Sequence, residues 1–425
     1  MKLRLPYLTS ATRKSSRSRA HFAAAPLLVA LIFSSASFAF AQTVEFGGGG
    51  NADGVRYQTD QSGNKHQQHI PKPRATPADP TWTGGATDSA PASGNWNVAG
   101  NWDGTGTIPP VSGNTTALTF GGSGSGTYTS TDNIANNFVF GSITLNSTST
   151  GSNTIAASAG QLLVVDATTG STITQSGSGA FTISNGFTNN NAATLTLTGA
   201  GSGTVTLSGV IDQKNGGNPT TIVKSLASTF VLSGNNTYTG TTTVNGGTLL
   251  VNGNQSSATG AVSVNNSGTV LGGTGTIGGA VTINGPATIT AGTNGTTGAL
   301  TLSNGLALAG TSGNLATYLV DLTAITSDKL VISGNLNLST AFDQIKFQGT
   351  TGASSYILAT FTGTRSGTFD TVTNLPNGYF LFYGANDIEL DAVPEPGTWL
   401  AGALAFGSLL ATQRRHLARL LKRTA

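Results

Sequence analysis

A repeat of about nineteen residues constrains this chain more than any other feature of its sequence. Lines broken every nineteen residues from Gly203 begin at residues 203, 222, 241, 260, 279 and 298 with GTVTLSG, IVKSLAS, TTTVNGG, GAVSVNN, GAVTING and GALTLSN. Lines 222 and 241 need a shift of one residue, so the period is about nineteen rather than fixed. Short alternating strands split by Gly and Asn turns at this period predict an all-β fold, a parallel β-helix (β-solenoid). Each coil would stack on the next at about 4.8 Å.

The last three lines align without a gap and predict which side chains stack. The inward pairs would be Val262 with Val264, Val281 with Ile283, and Leu300 with Leu302. A second strand would place Val270, Ile289 and Leu308 at one shared position. Between the strands lie Asn265, Asn284 and Ser303, where stacked asparagines are expected to form ladders of side-chain amides.

The scarcity of charge is consistent with such stacking. Charged residues are 9% of the chain, against about a quarter in typical globular proteins. Between Asp212 and Asp321 there is no acid, and the only charges are Lys214 and Lys224. In a stack, a repeated charge lies about 4.8 Å from its own copy and is repelled by about 0.9 kcal/mol in water. Thr, Ser, Asn and Gly stack without that cost.

One stretch resembles a known family. Residues 221–254 read TIVKSLASTFVLSGNNTYTGTTTVNGGTLLVNGN. This closely resembles the autotransporter-associated β-strand repeat, whose pattern contains L-S-G-x-N-T-Y-T-G and T-x-V-x-x-G-T-L-x-V. The chain departs from that pattern by Ser225-Leu226-Ala227, where the family places a Gly-rich turn. The resemblance implies a secreted or surface-exposed rod without catalytic chemistry.

The segments around the predicted solenoid (121–316) differ in composition. Residues 317–392 carry most of the later acids and aromatics and predict C-terminal coils and a cap. Residues 82–120 predict an N-terminal cap that contains Trp82, Trp96 and Trp102. These three rings would either form a hydrophobic plug over the first coil or offer a platform for stacking on carbohydrate. Residues 42–81 are polar and predict a flexible linker.

The N-terminus predicts export. Residues 1–41 combine a basic start, an apolar run FAAAPLLVALIF at 22–33 and a small-x-small site at Ala39-Phe40-Ala41 before Gln42. This order is that of a secretory signal peptide, expected to be helical and to engage the Sec export machinery. The apolar run is too short for a membrane anchor.

The C-terminus predicts sorting. Val393-Pro394-Glu395-Pro396 precedes an apolar run at 397–411 and a basic finish, TQRRHLARLLKRTA. The order resembles the PEP-CTERM signals of Gram-negative bacteria, which implies cleavage near the Pro-Glu-Pro by an exosortase, a membrane-embedded transpeptidase-like enzyme. Residues 393–425 would then contact the membrane through an apolar helix before processing. A simple C-terminal membrane anchor is the alternative.

Composition excludes several kinds of site. The chain has no cysteine, so disulfides, thiolate metal sites and cysteine nucleophiles are absent. Residues 42–393 hold nine basic and sixteen acidic residues, a net charge of −7, which argues against nucleic-acid binding. The two histidines outside the predicted removable ends, His66 and His69, have no acid nearby, so no metal site or cofactor is predicted.

Three functional classes remain. The favoured one is a non-enzymatic surface or matrix protein with a structural or adhesive role, because PEP-CTERM proteins occur with exopolysaccharide production and biofilms. The alternative is a carbohydrate-active β-helix enzyme such as a polysaccharide lyase. Such an enzyme needs clustered acids and bases, whereas scattered acids such as Asp166 and Asp212, or Asp321 and Asp328, would have to pair across coils. An autotransporter passenger is disfavoured, because the chain ends in a Pro-Glu-Pro tail rather than in the strands of a membrane barrel.

Overall fold

The computed structural model describes residues 55–59, 65–69, 81–82, 92–102, 109–134, 137–158, 160–214, 218–339, 341–394 and 404–414. The chain divides into two compact units, Met1–Arg74 and Ala75–Ala425. In the first unit, Val55–Thr59 pairs antiparallel with Lys65–His69. The prediction of a polar linker over 42–81 did not include this strand pair. The predicted signal peptide lies outside the described residues.

The second unit is built from short strands that stack in four sheets among the described residues. Sheet 1 comprises Thr81–Trp82, Ala117–Phe120, Ser142–Leu145, Ser171–Gln175, Ala193–Thr198, Thr220–Lys224, Thr242–Val244, Val262–Val264, Val281–Asn284, Leu306–Ala309, Leu336–Leu338 and Arg365–Gly367. Sheet 2 comprises Gly94–Asn95, Tyr128–Asp132, Asn153–Ala157, Phe181–Ile183, Thr204–Leu207, Thr229–Leu232, Thr248–Val251, Val270–Gly272, Thr288–Ile289, Ala316–Leu322, Asp343–Gly349 and Thr371–Thr373. Sheet 3 comprises Phe138–Phe140, Leu162–Val165 and Gly186–Asn189, and sheet 4 comprises Asn254–Gln255, Thr276–Ile277, Ala299–Leu302, Lys329–Ile332, Ser355–Phe361, Tyr379–Tyr383 and Asp387–Ala392.

The chain visits these sheets in turn, so each circuit forms one coil. A coil passes through sheet 1 and sheet 2, and most coils add a strand of sheet 3 or sheet 4 before the chain returns to sheet 1. Every described pairing within sheets 1, 2 and 3 is parallel and in register, as between Val262–Val264 and Val281–Ile283. The predicted parallel β-helix is confirmed. Twelve stacked strands make sheet 1 about 53 Å long at the usual interstrand spacing.

The core runs along the inside of the coils. Strands such as Thr204–Leu207 and Phe138–Phe140 alternate buried and partly exposed residues, as expected when one face of a sheet is covered. The buried members are mainly Val, Ile, Leu and Phe, and they belong to one continuous cluster. Each fully buried aliphatic or phenyl side chain of this kind contributes about 1.5–3 kcal/mol by leaving water.

The nineteen-residue register holds for only part of the chain. Ile222, Thr242, Val262 and Val281 stack in sheet 1 at intervals of 20, 20 and 19 residues, which supports the period in lines 222 to 279. Elsewhere the coils lengthen, to 30 residues between Leu306 and Leu336 and to 38 between Trp82 and Phe120. The solenoid therefore has a fixed stacking distance but a variable coil length.

Two of the six lines were assigned to the wrong sheet. GTVTLSG at 203 forms a strand of sheet 2, and GALTLSN at 298 forms a strand of sheet 4. Leu306 and Leu308, rather than Leu300 and Leu302, stack on Val281 and Ile283. The second predicted column is also wrong, because Leu271 rather than Val270 pairs with Ile289. All sheets share one alternating pattern, so the pattern does not reveal to which sheet a strand belongs.

The turns stack as closely as the strands. Asn265 donates its side-chain amide to Asn245 (2.9 Å), and Asn284 donates to Asn265 (2.8 Å), so an asparagine ladder is present along this corner. Ser303 follows the sheet 4 strand Ala299–Leu302, so it is not part of the asparagine ladder. A column of glycines runs beside the strands of sheet 1, where a Cβ added at Gly260 would overlap the carbonyl oxygen of Gly240.

The stack ends differently at its two termini. At the N-terminal end, the first strands of sheets 1 and 2 are only two residues long. Trp82 ends the first of them, and Trp96 follows the second directly. At the C-terminal end, Asp387–Ala392 pairs antiparallel with Ser355–Phe361, and Tyr379–Tyr383 pairs antiparallel with Asp387–Ala392. This reversal of strand direction ends the parallel stacking in sheet 4.

A helix occupies residues 404–414, all of which are exposed. It overlaps the predicted apolar run at 397–411 and extends three residues beyond it. In the part of the chain that the structure describes, no helix reaches the length and apolar character required for a membrane crossing.

We expect Gly260→Ala to lower the free energy of unfolding by about 1–3 kcal/mol, because its Cβ would overlap backbone in the preceding coil. Urea denaturation followed by circular dichroism measures this. Gly126→Ala is the control, because a Cβ there meets nothing within 4 Å, and we expect it to leave the urea midpoint unchanged or slightly raised. Equal effects of the two changes would contradict tight stacking at the glycine column.

Candidate functional site

The predicted sorting motif begins directly after the last strand of the solenoid. Val393 is 54% exposed, and its backbone N–H donates to the carbonyl of Gly378 at 2.7 Å. Pro394 is exposed as well. Glu395 and Pro396 lie outside the described residues, as do Ala39, Ala41 and Gln42 of the predicted signal cleavage site. The described part of the motif is therefore accessible from solvent.

The three tryptophans, for which the sequence allows both a hydrophobic plug and a carbohydrate-stacking platform, are buried. Trp82, Trp96 and Trp102 are each at most 1% exposed. Trp102 lies edge-on to both others, with ring centroids 5.1 and 5.7 Å away. Trp96 donates to Ser130 Oγ (2.7 Å) and Trp102 donates to the carbonyl of Trp96 (2.9 Å). This burial leaves no ring face exposed for stacking on a carbohydrate and is the packing expected of a hydrophobic plug.

Metal ligands are not brought together in the described residues. His66 and His69 lie on the strand Lys65–His69 of the first unit. No group of three His, Asp or Glu side chains that could hold a metal ion occurs where the structure describes the chain.

Asp321 and Asp328 are brought together, and both are bound by backbone amides. Asp321 lies near the end of the strand Ala316–Leu322, and Asp328 follows the loop 323–327. The backbone N–H of Asp321 donates to Asp328 Oδ2 (3.2 Å). Asp328 also accepts from Thr290 Oγ1 (2.8 Å) and from the N–H of Gly298 (2.9 Å). Asp321 accepts from the N–H of Gly295 (2.8 Å) and from the side-chain amide of Gln348. Burial raises the pKa of Asp328 to about 7, although its hydrogen bonds oppose the shift.

A cleft of about 460 Å³ adjoins this pair and is lined by Gly295, Thr296, Thr297, Asp321, Leu322, Thr323, Gln348 and Gly349. A general acid or base needs a free oxygen that faces the substrate. Asp321 is 4% exposed and Asp328 is fully buried. Their carboxylate oxygens accept hydrogen bonds from backbone and side-chain donors. The pair thus connects neighbouring coils rather than offering catalytic groups to the cleft.

Lys224 is a buried cation that the sequence analysis recorded only as a charge. Its side chain points inward at the position that Val244 occupies in the next coil. The ammonium donates to the carbonyl oxygens of Ser225, Leu226 and Gly246, each at 2.9 Å, and so joins turns of successive coils. Burial lowers the pKa of Lys224 to about 8. Lys224 alternates with Thr220 and Ile222, which also point inward, and this alternation in the sequence indicates that its side chain is buried.

A surface with three exposed large apolar side chains, Ile357, Phe380 and Phe382, adjoins the sorting motif. We call this surface the terminal face, and it consists of the outward side chains of the last three strands of sheet 4: Ile357, Phe380, Phe382, Asp387, Glu389 and Asp391. Phe380 is 42% exposed and Phe382 is 48% exposed. Asp391 pairs with Phe380 and Glu389 pairs with Phe382 across the strands, so each phenyl ring has a carboxylate as its neighbour. The alternation in YFLFY and DIELD could have revealed this face from the sequence.

Comparison with known proteins places a likeness in the middle of the solenoid. Residues 222–251 match the family described as Passenger-associated-transport-repeat. This supports the resemblance to an autotransporter-associated repeat predicted over 221–254. A 47-residue stretch is 60% identical to the "Adhesin BmaC autotransporter" of Brucella suis biovar 1 (strain 1330). That stretch is 11% of this chain and 1% of the adhesin, so the likeness covers a small part of both proteins.

We expect Lys224→Met to lower the free energy of unfolding by about 2–4 kcal/mol, because three partly buried hydrogen bonds to carbonyl oxygens are lost. Thermal unfolding and urea denaturation measure the change. Lys214→Met is the matched control, since Lys214 is exposed, and it should shift neither midpoint. A similar loss in both variants would show that the buried ammonium is not responsible.

We expect the solenoid to become more stable as the pH falls from about 7 to about 4. Burial raises the pKa of Asp328 to about 7 and that of Asp132 and Asp343 to about 6, above the usual 3.8. The folded state therefore binds more protons than the unfolded state in this window. Each carboxylate changes the free energy of unfolding by at most about 1.4 kcal/mol per pH unit. The stability that it contributes at low pH is lost as the pH rises through its folded pKa.

Thermal midpoints measured at half-unit steps test this, with Asp328→Asn expected to flatten the slope between pH 4 and 7. Asp166→Asn is the control: burial raises its pKa, but hydrogen bonds from Thr169 and Thr168 lower it more, so the net shift is downward. Stability that rises with pH across the window would contradict the assignment.

Proposed function

We propose that the protein is an exported, non-enzymatic surface protein of a Gram-negative bacterium, in which the β-solenoid serves a structural or adhesive role. The observation that carries the proposal is the in-register parallel solenoid, whose central coils match a passenger repeat. The BmaC likeness supports the adhesive part, because that protein is named an adhesin and an autotransporter. A stacked solenoid offers a long surface for attachment, and its stability does not require a catalytic centre.

The alternative, a carbohydrate-active β-helix enzyme, has less support. A lyase or glycosidase needs carboxylates or bases that face a groove. Asp132, Asp328 and Asp343 are all fully buried, and each accepts a hydrogen bond from a backbone N–H. Their role in joining strands and turns accounts for their burial without substrate chemistry.

We further propose that residues 393–425 direct sorting, with cleavage near Pro394 by an exosortase-type enzyme after export through the Sec machinery. Support comes from the order of motif, apolar run and basic cluster, and from the exposure of Val393 and Pro394 after the last strand. Exopolysaccharide is the proposed neighbour of the processed protein. Before processing, the apolar segment would contact the membrane.

Intact mass of the protein recovered from cells and medium tests the sorting proposal. We expect a mass that corresponds to Gln42 through about residue 393, and we expect Pro394→Ala combined with Pro396→Ala to retain the tail. Pro376→Ala, in the loop before the last two strands, is the control and should be processed normally. A native mass that still includes the basic tail would reject processing and favour a simple anchor.

A further inference from the structure

The outermost strand of sheet 4, Tyr379–Tyr383, has one edge that no other described strand pairs with. Tyr379–Tyr383 pairs with Asp387–Ala392 on one side, and among the described residues no strand lies on its other side. An unpaired edge presents a row of backbone donors and acceptors that an additional strand can use. Natural edge strands are commonly protected by charges or proline, whereas this one reads YFLFY.

The side chains of this edge strand have two different environments. Tyr379, Leu381 and Tyr383 pack against the core, and the hydroxyl of Tyr379 donates to the carbonyl of Ala353 (2.6 Å). Phe380 and Phe382 point outward and are nearly half exposed. The inward residues fix the strand, so the outward rings are held side by side about 7 Å apart.

Three carboxylates lie on the strand Asp387–Ala392, which pairs with the strand that carries these rings. Asp387, Glu389 and Asp391 alternate along one strand and point to the terminal face. No lysine or arginine occurs on the three strands that form this face. Arg365 lies over Tyr383, whose ring has the opposite parity to Phe380 and Phe382. The pKa of Glu389 is raised by partial burial and by the charges of Asp387 and Asp391, so the three carboxylates repel one another.

The spacing fits a basic strand added at the free edge. Such a strand would lie about 4.8 Å from Tyr379–Tyr383 and about 9.6 Å from the strand with the carboxylates. A Lys or Arg side chain reaches about 6 Å from its Cα, and an Asp or Glu side chain covers the remaining distance. The cation would cross the face of Phe380 or Phe382, where a cation–π contact adds to the attraction.

We propose that the terminal face and its free edge bind an extended peptide segment with Lys or Arg at alternate positions, which adds to sheet 4 as a further strand. Backbone pairing with Tyr379–Tyr383 selects a peptide over a polysaccharide, because a polysaccharide has no ladder of amides. The carboxylates and phenyl rings select basic side chains. The proposal goes beyond surface attachment and does not depend on processing of the tail.

A labelled nonapeptide, acetyl-TKTKTKTKT-amide, tests the proposal against the full chain by fluorescence anisotropy. A second peptide with the same composition, KKKKTTTTT, has equal charge but lacks the alternation. A third carries N-methyl groups on the residues whose amides would pair with the edge. We expect the alternating peptide to bind at least about tenfold more tightly than either control. Equal binding of all three would overturn the proposal and indicate non-specific charge attraction.

Variants locate the binding site. We expect Glu389→Gln combined with Asp391→Asn to weaken binding of the alternating peptide about tenfold, and Phe382→Ser to weaken it severalfold. Asp166→Asn and Val210→Ser are matched controls, because they remove an acid and an exposed aliphatic residue elsewhere on the solenoid. Thermal midpoints of all variants confirm folding. No binding of the peptide, unchanged affinity in the terminal-face variants, or self-association through this edge instead would overturn the proposal.

Discussion

The parallel stacking of coils at the spacing of β-strands is the constraint on which the rest of this structure depends. Each position is repeated one strand spacing away, so a residue is tolerated only if it can lie against its own counterpart. Asparagine meets this condition through the ladder of Asn245, Asn265 and Asn284. Glycine meets it where the backbone of one coil lies against the next, as at Gly260. Lys224 is tolerated inside because its stacked neighbour is Val244 rather than another charge.

Buried carboxylates serve where the regular ladder of strands is interrupted. Asp328 binds the coil before it at the end of the loop 323–327, which leads out of sheet 2. Asp343 accepts from the N–H of Asp370, and Asp370 in turn accepts from the N–H of Phe342, so these acids join two successive turns. Asp132 accepts from Asn185 in a later coil. Unpaired backbone amides are costly to bury, and these side chains satisfy donors that no strand can reach.

The architecture could be predicted from the sequence because stacking is local in its demands. The alternation, the turn residues and the lack of charge all indicate a parallel β-helix, and Ile222, Thr242, Val262 and Val281 follow the expected period. The sheet to which a strand belongs could not be predicted, since Leu300 and Leu306 have equivalent neighbours in sequence. The role of the three tryptophans could not be predicted either, because the sequence is consistent with both a plug and a binding platform. Their burial in the structure distinguishes the two roles. The alternation in YFLFY and DIELD indicates the two outward rows of the terminal face, but it does not indicate that these rows meet across antiparallel strands.

Variable coil length has a consequence for how such a surface can diversify. Coils of 19 and 30 residues share the same sheets, and the additional residues of the longer coil lie both in longer strands, such as Ala316–Leu322, and between strands, as at 323–327. Insertions and deletions at these corners therefore leave the hydrogen-bonded ladder and the inward columns intact. The outward loops can be replaced one at a time, while the scaffold that presents them keeps its register.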